Sequence, residues 1–186
     1  QSVLGHDAVS AGFALAALTL GWPLAAANAG RLYLTIGFRA TTAIGAVIAL
    51  CGALLLLPID ADSSLLMVAL PCFVMGLGFG FTAAPPVIAA QSAVDWESRG
   101  VTTGATMFAR SVGSAVGVAG FGAVVNARVT DAIGHGSPSL EQLSAGVLAP
   151  AIHATFVGTA IIAVGLVLVT LLMPKRITEP GEAPQT

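Results

Sequence analysis

Arg110 is the one charged side chain set well inside an apolar run of this sequence. Thr106, Arg110 and Ser114 follow one another at four-residue steps, so on a helix they share a face. A cation flanked by two hydroxyls is suited to lining a cavity for a small molecule, not to breaking bonds. The apolar runs hold no paired carboxylates, no His-Glu cluster and no Ser/His pair, so catalysis is not expected and no enzyme is predicted. Cys51 and Cys72 sit in apolar stretches and read as small buried hydrophobes. No metal-ligand spacing and no cofactor motif is present. His6 and His135 fall in connectors, and His153 falls near the start of the last apolar run. No carboxylate lies inside any run, so this stretch offers no proton-coupling acid of the kind expected in a proton-driven pump.

The elements that position these residues follow from composition. Of 186 residues, 56% are hydrophobic and 9% charged, with mean hydropathy +0.92. A soluble domain carries about 25% charged residues to face water, so the outer surface here must face lipid. Small residues abound and aromatics are few, which favours closely packed helices over a β-barrel. The net charge of −2 is scattered, which excludes nucleic acid as a partner.

A helix needs about 20 apolar residues to cross the hydrocarbon core, and five stretches qualify: about 10–29, 40–57, 65–89, 102–125 and 150–173. The fold class is therefore an all-α polytopic bundle over residues 1–173. Arg31, Arg39, Arg99, Lys175 and Arg176 fall on one side, against Arg128 with Asp7, Asp60, Asp62, Asp131 and Glu141 on the other. The excess of basic residues marks the cytoplasmic side, placing Gln1 outside and Thr186 in the cytoplasm. Ser139 and Gln142 have capping-box spacing and open an interfacial helix over about 139–148 on the outer surface. Residues 174–186 are polar and rich in Pro, and read as a disordered cytoplasmic tail. The chain starts at Gln1 with no signal-peptide layout, as a piece of a longer protein would.

Close packing is expected at four-residue glycine spacings: Gly76 and Gly80 in the third span, Gly104 after Gly100, and Gly113 with Gly117 in the fourth. Two placements of Arg110 compete. It either faces the bundle interior with Thr106 and Ser114, or snorkels to cytoplasmic headgroups about two turns away. Pro23 after Trp22, Pro71, and Pro85 with Pro86 predict bends or breaks.

Three passages resemble the C-terminal end of the major facilitator superfamily, in its fourteen-helix branch of drug:proton antiporters. They are Gln1 to Gly12, the connector from Gly30 to Arg39, and the stretch from Glu97 through the glycine-rich run to Ala119. The family's Gly-x-Leu-x-Asp-Arg-x-Gly-x-Arg loop is matched at Gly30, Leu32, Gly37 and Arg39, while Leu34 and Thr35 replace its acid and the base after it. The resemblance implies that the spans are helices ten to fourteen of a C-terminal bundle in the plasma (inner) membrane. It implies export of small amphipathic molecules by proton antiport and alternating access. The partners implied are the lipid bilayer, the N-terminal helices of the same transporter, the substrate and the proton. Most of the energy-coupling groups would lie upstream of Gln1. A metabolite symporter of another facilitator branch, and a truncated membrane scaffold without transport, are the alternatives.

Overall fold

The computed structural model describes residues 8–59, 63–133 and 145–173. Six α-helices occupy them: α1 (Ala8–Ile36), α2 (Phe38–Leu55), α3 (Leu65–Ala83), α4 (Pro85–Ser92), α5 (Arg99–Ile133) and α6 (Ala145–Leu172). A single turn of 3-10 helix, Trp96–Ser98, leads into α5. Five helical segments are long and apolar enough to cross a membrane, with α3 and α4 together making one of them. The protein is a multi-pass helical membrane protein.

Helices are the form apolar surroundings permit, because each backbone amide finds its carbonyl within the same segment. Side-chain hydroxyls follow the same rule. Thr41 donates to the Gly37 carbonyl at 2.9 Å, Thr42 to that of Phe38 at 2.8 Å, and Thr170 to that of Val167 at 2.7 Å. These three are the buried polar residues among those described, and each is satisfied locally.

Residue sizes are sorted against the usual soluble pattern. The buried positions are mostly small: Ala25, Ala29, Ala46, Ala49 and Ala53. Large side chains such as Leu15, Leu34, Leu66, Phe108, Leu168 and Leu172 lie outside. Lipid rewards that arrangement, since burying a leucine gains nothing over leaving it among acyl chains and small residues let backbones meet. Helix α3 packs on both α1 and α2, α2 packs on α6, and α6 packs on α5. The helices thus form an arc, α1–α3–α2–α6–α5, with α1 and α5 at its two ends.

The tightest joint is α1 against α3. A Cβ added to Gly76 would strike the Leu18 carbonyl, one on Gly80 the Trp22 carbonyl, and one on Gly21 the backbone at Phe73 and Leu77. At the α2–α3 contact, Gly45 and Gly52 are equally confined, meeting Phe81 and Met75. By contrast Gly104, Gly113 and Gly117 have no neighbouring atom within 4 Å. The expectation that these three mediate packing is therefore not met among the described residues. Their helix leans on α4 and α6, and the space beside each of these glycines is open.

Further expectations need correction. The interval from Gly30 to Arg39, expected as a connector between two spans, is helical except at Gly37. Helix α1 continues to Ile36, and Gly37 alone separates it from α2. Gly37 has φ 87° and ψ 163°, a conformation essentially restricted to glycine. Its amide donates to the Tyr33 carbonyl at 2.9 Å, and its own carbonyl accepts from the Thr41 amide at 3.2 Å. The Tyr33 and Phe38 rings stack across the joint at 4.8 Å between centroids. The third span breaks at Ala84, because neither Pro85 nor Pro86 has an amide to continue α3; they open α4 instead. Helix α1 runs on through Pro23 and α3 through Pro71. Cys51 is exposed on α2 rather than buried, and Cys72 is half-buried. Residues 139–144 of the expected interfacial helix, and the tail from 174, lie outside the described residues; residues 145–148 belong to α6.

Two substitutions test this packing. Gly37→Ala should lower stability by about 1–3 kcal/mol, because the backbone region it occupies excludes a Cβ. Gly76→Ala should cost about 1–3 kcal/mol by overpacking, whereas Gly30→Ala, with open space around it, should be neutral or gain up to about 1 kcal/mol. Thermal unfolding of the protein in detergent measures all three, and equal losses at Gly30 and Gly76 would contradict the α1–α3 contact.

Candidate functional site

Between the ends of the arc lies a cleft of about 600 Å³. Helix α1 contributes Trp22, α3 contributes Phe79, Thr82 and Ala83, and α4 contributes Pro86 and Val87. Helix α5 contributes Thr106, Met107, Arg110 and Ser114, and α6 contributes Leu166. Only α2 is absent from the lining, because it fills the back of the arc.

Several of the lining residues are placed by local causes. The Trp22 carbonyl rests on Gly80, so the closeness of α1 and α3 sets where the indole sits. Pro23 has no amide, which leaves the Thr19 carbonyl without its helical donor one turn before Trp22. Pro85 and Pro86 end α3 and redirect the chain, bringing Val87 to the cleft. Gln91 on α4 donates to the Thr103 hydroxyl at 2.7 Å, and that hydroxyl donates to the Arg99 carbonyl at 2.8 Å. This short relay fastens the first turns of α5 to α4.

The sequence-predicted trio is brought together here. Thr106, Arg110 and Ser114 all line the cleft, and the Thr106 hydroxyl donates to the Thr102 carbonyl at 2.8 Å. Arg110 lies about 16 Å along α5 from Arg99. Its guanidinium carbon sits 5.5 Å from the centroid of the Trp22 ring, a cation–π contact across the gap between the two ends of the arc. Such a contact contributes about 0.5–2 kcal/mol, depending on how dry the site is. The guanidinium thus lies at the cleft, on the side of α5 that carries Thr106 and Ser114. Along the same helix a second, shallower groove runs past Arg110, Ser111, Ser114, Ala115, Val118 and Ala119.

Sequence reasoning missed Trp22 as the partner of Arg110, noting it only beside a helix-bending proline. The available signal was its position. Tryptophan favours the membrane interfaces, so one in mid-span suggests a task there. Phe79, Met107 and Leu166 carried no such mark. The other residues singled out lie elsewhere: Gly30 and Leu32 within α1, Gly37 at the joint, and Arg39 in the first turn of α2. They do not join the cleft.

Electrically the cleft has one fixed charge, that of Arg110, and no acid among its lining residues. The rest of its wall is apolar or carries hydroxyls. Among the described residues no group of His, Cys, Asp or Glu is placed to hold a metal ion.

Comparison with known proteins agrees with this architecture. The sequence model of the Major Facilitator Superfamily matches residues 1–118. The chain is 30% identical over 128 residues to the multidrug transporter protein MdtP of Bacillus subtilis, covering 69% of this chain and 24% of that protein. It is 33% identical over 133 residues to a triacylglyceride transporter of Mycolicibacterium hassiacum, covering 66% and 25%. It is 28% identical over 124 residues to multidrug resistance protein 3 of Bacillus subtilis, covering 67% and 24%. The matched region is about a quarter of the length of each relative. With most of its length matched by the family and its helices arranged as a membrane bundle, the chain belongs to the Major Facilitator Superfamily.

Proposed function

We propose that this chain forms part of a secondary active transporter of the fourteen-helix drug:proton antiporter branch. It exports small amphipathic molecules by alternating access, in exchange for protons. The observation that carries this is the cleft between α1 and α5, apolar over most of its wall, with the Arg110 guanidinium held over Trp22. Thr106, Arg110 and Ser114 form one wall of the substrate pathway. The similarity to transporters named for multidrug and for triacylglyceride transport supports a lipophilic or amphipathic substrate.

The opposite wall comes, in this proposal, from N-terminal helices of the same transporter. The open cleft and the open space beside Gly113 and Gly117, which share one side of α5, support it, as does the small share of each relative that this chain matches. Proton-coupling acids then belong to those helices, since the cleft's own lining contains none. The bundle sits in the plasma (inner) membrane with residue 186 on the cytoplasmic side, following the basic residues Arg31, Arg39 and Arg99.

Two measurements test this. Arg110→Leu in the complete transporter should reduce efflux of a lipophilic dye roughly tenfold, the loss expected when a charged hydrogen-bonding group is removed. Its amount in the membrane should stay unchanged; near-normal efflux in that variant overturns the assignment of Arg110. In inverted membrane vesicles, dye accumulation should stop when a protonophore collapses the proton gradient, and accumulation that persists rules out antiport.

A further inference from the structure

A further cleft, of about 500 Å³, lies between α5 and α6, remote from Arg110. Its polar lining residues are Arg128 on α5 and His153 on α6. Each helix then continues inward with apolar residues on the same face. Val124 is one turn from Arg128, and Val157 and Ile161 are one and two turns from His153. Gly158 makes the groove possible: an added Cβ would come within 2.8 Å of the Phe121 ring edge, so aromatic and glycine together set the helix spacing.

Depth identifies what the cleft meets. Arg99 sits with its guanidinium carbon 5.1 Å from the Trp96 ring centroid, a cation and an aromatic of the kind that mark a membrane interface. Arg128 lies 29 residues further along the same helix, about 43 Å away by helical rise. A bilayer measures about 40–45 Å including both headgroup layers. With Arg99 in one headgroup layer, Arg128 is therefore in the other. His153 lies 19 residues before the end of α6 at Leu172, or about 28 Å, at the boundary between hydrocarbon and headgroups.

We propose that this cleft binds the headgroup of an anionic phospholipid, with Arg128 and His153 on the phosphate and an acyl chain along Val124, Val157 and Ile161. Arg128 supplies a permanently charged fork of donors, and the imidazole of His153 supplies a ring N–H. Among the described residues that line the cleft there is no acid. The apolar groove separates a lipid from a soluble anion, because only a lipid occupies both ends of the site.

Native mass spectrometry of the complete protein in detergent tests this with dioleoylphosphatidylglycerol, dioleoylphosphatidylcholine and soluble glycerophosphate. The wild type should hold phosphatidylglycerol about fivefold more tightly than phosphatidylcholine, the preference expected from one interfacial cation. Arg128→Gln should abolish that preference, and His153→Leu should weaken phosphatidylglycerol binding about threefold. Arg99→Gln, at the opposite end of α5, should keep the preference. Ile161→Trp fills the groove without touching either polar group, and should lower phosphatidylglycerol occupancy on its own. The proposal is overturned if Arg128→Gln retains the preference, if Arg99→Gln removes it equally, or if glycerophosphate binds as tightly as the lipid.

Discussion

The arrangement depends on how near two helix backbones can come without side chains between them. At Gly21, Gly76 and Gly80 the answer is direct contact of α1 with the main chain of α3. In lipid there is no hydrophobic gain from bringing helices together, so close dispersion contact has to hold them. That contact also sets the site. Gly80 lies on the Trp22 carbonyl, Trp22 faces Arg110, and Arg110 is the only charge in the cleft. Larger residues at Gly76 or Gly80 would therefore act at a distance on the cleft's geometry.

The two ends of the arc are held very differently. Helices α1, α2 and α3 form a block sealed by glycine and alanine, in which Ala46, Ala53 and Ala29 are fully buried. Helix α5 touches the block through α4 at its start, through α6 further along, and through the Arg110–Trp22 contact between them. Glycines 104, 113 and 117 on it face open space. A helix with so little of its surface committed can accept another partner, or shift, at small cost to the block.

How much of this was legible in the sequence depends on the range of the interaction. The five apolar runs could be read directly, because span length and the scarcity of charge are local properties. The shared face of Thr106, Arg110 and Ser114 was legible for the same reason, being set by helical period alone. The same glycine spacing, however, describes Gly76 and Gly80, which meet a backbone, and Gly113 and Gly117, which meet nothing here; spacing does not name a partner. Trp22 and Arg110 are far apart in the chain, and only the packing of the helices between them brings them face to face. The stretch from Gly30 to Ile36 looked like a connector because Arg31 and Arg39 bracket it. Its residues are nonetheless compatible with helix, and the break comes down to one backbone conformation at Gly37.

That conformation has a mechanical meaning. Two antiparallel helices joined by several residues can slide or splay, because the loop takes up the difference. Joined by Gly37 alone, with the Tyr33 and Phe38 rings stacked across the joint, α1 and α2 have no slack between them. A tilt imposed on α1 at the cleft, where Trp22 sits, is carried to α2 as a tilt of the whole hairpin. The joint is a stiff elbow, in which one backbone conformation at Gly37 fixes how the two helices meet.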